Sequence, residues 1–276
     1  MLFTQDFESI RKEFLRRGIP IETPGFYDHP AFAQLQSEDS DALAAYARFV
    51  LERPYSPEYL ADAEHKIRTV SQILYRDLVT DGRLGACVDV TMALSRMLEK
   101  LGVWNFMVNG AVTTVYPVES TLHNGYYWPI HEGDADAGHA WLCAPPFRVI
   151  DVTIGRQPQD YHPHDFVPDF VYSKESMDFP VYIDDLCSEA VRAQMFVKGV
   201  PVTLEGLFGA YPSLRHFLEI FRGTLYSHNG ALYEYIPVFP LASLGPLEQI
   251  TDLCLNGKYG HEIWKEQIEP LFQGLS

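Results

Sequence analysis

The chain of 276 residues holds only four cysteines, Cys87, Cys143, Cys187 and Cys254, far apart and without a CxxC pair. That spacing excludes a zinc ribbon and argues against a disulfide framework, so reduced thiols in a cytoplasmic protein are the expectation. No uncharged apolar run approaches the length of a membrane span. Met1-Leu2-Phe3-Thr4-Gln5-Asp6-Phe7 lacks the basic-then-apolar order of a secretory signal. Positive charge is scarce too: 21 Lys and Arg stand against 37 Asp and Glu, a net charge of -16, with no basic run. Such a chain repels phosphates and anionic membrane surfaces, so neither nucleic acid nor membrane is expected as a partner.

Repeats, low-complexity tracts and clean linkers are also missing, so a single domain over 1–276 is expected. Its parts are N-terminal helices over 1–80, a core over 81–155 and a C-terminal extension over 156–276. With 47% hydrophobic and 21% charged residues the chain is apolar enough to fold independently.

Apolar residues at helical spacing mark Phe3 to Arg17 (Phe7, Ile10, Phe14, Leu15) and Asp39 to Glu52 (Leu43, Tyr46, Ala47, Val50). A loop with Pro20, Pro24, Gly25 and Pro30 separates them. Pro57 then opens the strongest helix of this half, running to about Leu78. A turn at Asp81-Gly82-Arg83-Leu84-Gly85 leads into a helix from Cys87 to Lys100, with Val90, Leu94, Met97 and Leu98 on one face and Gly102 as its stop. Further on, Asp184 to Phe196, Pro212 to Arg222, Gly245 to Leu255 and Tyr259 to Phe272 read as helices, and Tyr226 to Leu244 as added strands.

Cys87 falls in the first turn of its helix, where unpaired backbone N–H groups and the helix dipole favour thiolate over thiol. Taken alone, a cysteine there is more readily a small packing residue between helix and sheet. Downstream, Trp104 to Val118 reads as a strand or a bent pair. Glu119 to Asp136 reads as a long loop carrying Tyr127, Trp128, Asp134 and Asp136, and binding residues gather in such loops.

From Gly138 to Cys143 the alternation sets His139, Trp141 and Cys143 on one face. From Phe147 to Thr153 it groups Phe147, Val149, Asp151 and Thr153. The two segments form an antiparallel hairpin around Pro145-Pro146. A two-residue loop with unbroken pairing would put Ala140 opposite Asp151 and part Asp151 from His139, so an odd loop or a bulge is predicted. The pairs His162/His164 and Asp160/Asp165 read as a polar turn rather than a metal site.

Gly85-x-Cys87-x-Asp89-x-Thr91, an apolar helix ending Leu101-Gly102-Val103, His139-Ala140-Trp141 and Ile150-Asp151-Val152-Thr153 occur in that order. Over about Gly82 to Gly155 this set resembles the transglutaminase-like superfamily, particularly its bacterial members. The resemblance implies an α+β, papain-like fold with the catalytic helix packed on an antiparallel sheet, plus helical additions at both ends. It implies Cys87 as nucleophile, His139 as base and Asp151 as the orienter of that base. Val88 stands where animal-type members have Trp directly after the cysteine.

The expected chemistry is acyl transfer through a thioester at Cys87, with a peptide or small-molecule acyl donor, an amine or water as acceptor, and neither cofactor nor metal. Tyr127, Trp128, Trp141, Asp134 and Asp136 are the expected substrate-binding residues, the two aspartates favouring a cationic amine. The backbone N–H of Cys87 is one oxyanion donor, and Gln72 and Tyr75 are candidates for the second only if the turn folds back toward the thiol. Three readings compete: a cysteine protease, amidase or deamidase; a binding protein that keeps the fold without catalysis; and a metallohydrolase using His131, His139 and a carboxylate. Oligomeric state leaves no mark in the sequence.

Overall fold

A computed structural model describes residues 1–131, 138–157, 165–243 and 245–273. Asp134 and Asp136, and the pair His162 and His164, lie outside the described residues. The chain is mixed α+β around an antiparallel sheet. Helices α1 (Phe7–Arg16), α2 (Pro30–Glu38), α3 (Ala42–Glu52), α4 (Pro57–Asp81) and α5 (Cys87–Lys100) come first. Strands β1 (Phe106–Val115), β2 (Gly125–Tyr127), β3 (His139–Ala144), β4 (Phe147–Asp151) and β5 (Val171–Ser173) follow. Then come α6 (Ile183–Leu186), α7 (Glu189–Val197), α8 (Leu204–Ala210), α9 (Pro212–Ile220), β6 (Thr224–His228) and β7 (Ala231–Leu241), with short elements to Phe272. Among the described residues no helix is long and apolar enough to cross a membrane.

The strand order is β5-β4-β3-β1-β7-β6, with β2 also paired to β1. Because β3 takes the first half of β1 and β2 the second, Gly110 lies opposite His139 and Val112 opposite Tyr127. Side chains two apart along a strand share a face, so Tyr127, His139 and Trp141 form one row. The far edge of β1 pairs along its length with β7, which ties a strand from the C-terminal third into the middle of the sheet.

The two faces carry separate cores. Trp141, Val108, Val112 and Tyr235 pack with Phe14, Phe26, Phe49 and Tyr46 of the N-terminal helices. Leu142, Met107, Phe147 and Ile150 pack with α4 and α5 through Leu74, Val90, Leu94 and Met97. Burying a Leu- or Phe-sized side chain in either contributes about 1.5–3 kcal/mol, so both layers hold the sheet in place.

The hairpin meets the parity condition by an unexpected route. Pro145-Pro146 is a tight two-residue turn pairing Ala144 with Phe147, but the next pair is Leu142 with Ile150. Two steps on β3 match three on β4, a bulge that absorbs one residue. Continued, this register sets Asp151 opposite Trp141, on the His139 face. The same bulge breaks the expected alternation of β4: Phe147 belongs to the α4/α5 core and Val149 to the opposite one. Segment 245–255 differs from the helical expectation as well, being a single 3-10 turn over Leu247–Gln249 followed by a short strand at Cys254–Leu255. Its buried Leu247, Ile250, Leu253 and Leu255 mimic helical spacing while packing as a strap.

Candidate active site

The N-terminus of α5 meets the edge of β3. Within a strand, the N–H and C=O of one residue point the same way, and for Ala140 both are directed at α5. Its N–H points at the Cys87 sulfur and its carbonyl accepts from Thr91 Oγ1 at 3.3 Å. Residues i and i+4 lie one above the other on a helix, so Cys87 and Thr91 complete this strand edge where β4 no longer reaches. Asp89, between them in sequence, turns the other way and pairs with Arg83.

His139 is the first residue of β3, delivered by Gly138 with φ of 90°. A Cβ at Gly138 would collide with the Gly110 carbonyl and Pro129, so only glycine makes this entry. The imidazole is fully buried and donates from Nε2 to Asp151 Oδ2 at 2.6 Å. Nδ1 has no well-aligned hydrogen-bond partner, and the group it meets is Cys87.

Asp151 is saturated. Oδ1 accepts from the Thr153 N–H at 2.8 Å, Thr153 Oγ1 at 2.9 Å and the Ile154 N–H at 3.0 Å. Oδ2 accepts from His139 and from the Tyr235 hydroxyl at 2.9 Å. Burial works against the charge, but His139 and these donors hold the carboxyl below its ordinary range.

The charges then align along the row. Burial alone would push the His139 imidazolium down; Asp151 and the Cys87 sulfur reverse this and raise it to about 10. Burial alone would push the Cys87 thiol up; His139 and the Ala140 N–H bring it below its usual value. The other two buried thiols behave oppositely: burial pushes Cys143 up to about 12 and Cys187 to about 11. One cysteine is thus drawn toward the thiolate, and it is the one at the helix start.

Of the expected substrate-binding residues, Tyr127 joins the site, its ring 5.5 Å from His139. Trp141 is 1% exposed and lies under His139, edge-on to Tyr235, as a floor. Trp128 sits on the other side of β2, stacked on Tyr126 and donating from Nε1 to the Asp184 carbonyl at 2.6 Å. Neither second oxyanion candidate joins Cys87, His139 and Asp151: Gln72 is exposed, and Tyr75 is engaged by Phe170 and Asp169. His131 is exposed, and among the described residues no three His, Cys, Asp or Glu side chains are grouped to hold an ion.

Tyr235 has no signal near the motif, lying 84 residues beyond Asp151. Gly110 makes its reach possible, because a side chain there would strike Trp141 and the Ile236 carbonyl. No family model, no curated protein and no solved structure matches this chain.

Proposed function

We propose that the protein is a cysteine-dependent acyl-transfer enzyme with a papain-like, transglutaminase-like core, in which Cys87, His139 and Asp151 act as nucleophile, base and orienter. One observation carries the reading. A fully buried imidazole, fixed on Nε2 by a carboxylate with five donors, meets with its other nitrogen a thiol at a helix N-terminus.

The thiolate attacks the carbonyl carbon of an amide, ester or thioester, and the electron pair moves to oxygen. The Cys87 N–H, in the first turn of α5 and without an intrahelical acceptor, donates to that oxyanion. Collapse breaks the bond to the leaving group, which takes a proton from His139, and leaves a thioester on Cys87. His139 then accepts a proton from an amine or water attacking the thioester, and the thiolate is released. Water gives hydrolysis; an amine gives a new amide. Tyr127, its ring 5.5 Å from that of His139, lies beside the base. A peptide or small-molecule acyl donor and a cationic amine acceptor fit this reading.

A second reading, a binding protein that retains the fold, draws on a groove of about 700 Å³ that none of Cys87, His139 and Asp151 lines, its walls including Asp41, Leu43, Pro129, Tyr211, Phe217 and Phe239. An activity-based acyl probe followed by peptide mass spectrometry separates the two. The expected result is an adduct on the Cys87 peptide, formed at neutral pH and lost in Cys87→Ala. Labelling of Cys143, Cys187 and Cys254 as fast as Cys87 would overturn the catalytic reading in favour of the binding one.

A further inference from the structure

Asp151 Oδ2 accepts two hydrogen bonds, one from the base it orients and one from Tyr235 on β7. Orientation does not require the second. Three donors on Oδ1 come from the turn that follows β4 and already fix the plane of the carboxylate. Reaching Oδ2 from β7 means crossing β1 and β3, over Gly110 and against the edge of Trp141. The ring is completely buried, and its hydroxyl sits at the oxygen that faces the imidazole.

We propose that Tyr235 is a positioning residue of the triad that acts through Asp151: its hydroxyl takes up part of the negative charge on Oδ2 and so sets how strongly Asp151 holds the proton on His139. The inference rests on the triad reading above. Burial and the Asp151 charge hold the phenol well above its ordinary range, so it stays a donor at every pH at which His139 titrates. The titratable groups facing the pair are Cys87 from α5, Tyr127 from β2 and Tyr235 from β7, with Tyr233 beside Tyr235.

The sign follows from charge sharing. Removing the hydroxyl leaves more charge on Oδ2 for the imidazolium, so His139 holds its proton to higher pH. A more acidic phenol donates more strongly and does the reverse. The experiment is an NMR titration of the side-chain nitrogens of His139 in full-length, histidine-labelled protein, comparing wild type, Tyr235→Phe and protein carrying 3-fluorotyrosine at position 235. The midpoint is expected to rise by about half a pH unit in Tyr235→Phe, as loss of one hydrogen bond implies, and to fall with fluorotyrosine. Fluorotyrosine keeps both ring and hydroxyl, so that arm decides the matter if the Phe variant folds poorly.

Midpoints unchanged in both would overturn the role of Tyr235. Alkylation of Cys87 against pH in His139→Gln tells that failure apart from failure of the triad itself. If this variant loses the low-pH reactivity of Cys87 while the Tyr235 variants titrate as wild type, only the Tyr235 inference fails. If it alkylates as wild type does, the triad reading fails, and the role of Tyr235 with it.

Discussion

Two buried ionic clusters lie at opposite ends of α5, and they differ in what they leave open. Toward the C-terminal end, Arg96 pairs with Glu99 at 2.8 Å and with Asp28 at 2.7 Å, and lies over the Tyr27 ring. Tyr27 closes the circuit by donating to Glu99 at 2.9 Å. Burial pushes Glu99 up against the pull of Arg96. Burial also opposes the charge on Arg96, but Asp28, Glu99 and Tyr27 together raise it further. This cluster ties the N-terminal segment to α5 and contains no nucleophile. At the other end the Asp151 carboxylate accepts five hydrogen bonds where Glu99 takes one from Tyr27 and one from Arg96, and its partner is a titratable ring with one nitrogen turned to a thiol. Paired charges from two segments make the first a clamp; in the second, saturation of the carboxylate leaves the imidazole one direction, toward the thiol.

The largest effect should separate the clusters by reactivity. Asp151→Asn keeps the shape but not the charge that holds the imidazolium, so acyl-probe labelling of Cys87 should fall on the order of 10³–10⁴-fold, the scale of triad-aspartate loss. Arg96→Met should leave the pH dependence of Cys87 alkylation unchanged. A comparable drop in both variants would erase the distinction.

Next in size is stability. Arg96→Met leaves Glu99 buried without its cation, and the denaturant midpoint should fall by the equivalent of about 3 kcal/mol. Unchanged stability would show that Glu99 is neutral in the folded protein and that the clamp is not ionic.

The smallest effect is a pH dependence near neutrality that belongs to the His139 cluster. His139 is raised from 6.5 to about 10 in the folded state. The stability it contributes is therefore complete below 6.5 and lost as pH rises toward 10. Cys87, lowered from its ordinary value, works the other way, adding stability as pH rises to its unfolded value. Between pH 6.5 and 8, below the range in which Cys143, Cys187 and the buried tyrosines add their own losses, Cys87→Ser protein should keep the His139 trend, so stability should decline, and His139→Gln in that background should abolish the slope over that window. A slope that survives that change would place the titration elsewhere.

Much of this arrangement is legible in the sequence because it is local. The α5 helix runs from Cys87 to Lys100 as its periodicity indicates, and the ordered Cys, His and Asp blocks name the residues that meet. The helix α2 is hidden by reading Pro30 as a breaker, whereas at the first helical position its missing N–H costs nothing. The faces of β4 are hidden because one residue in a bulge reverses parity, and alternation cannot show where pairing slips. Tyr235 is hidden for a different reason. A tyrosine in an alternating strand has the same pattern whether it fills a core or donates to a carboxylate two strands beyond its neighbour, and only the strand order reveals which.

The bulge in β4 also makes the hairpin count. Between Ala144 and Ile150 the chain must hold a number of residues of one parity, since adding or removing a single residue turns Asp151 to the α4/α5 face while leaving the sheet intact. Changes in length at this turn are therefore tolerable in twos and ruinous in ones. A turn and bulge that include none of Cys87, His139 and Asp151 thus limit how this region can lengthen or shorten in descent.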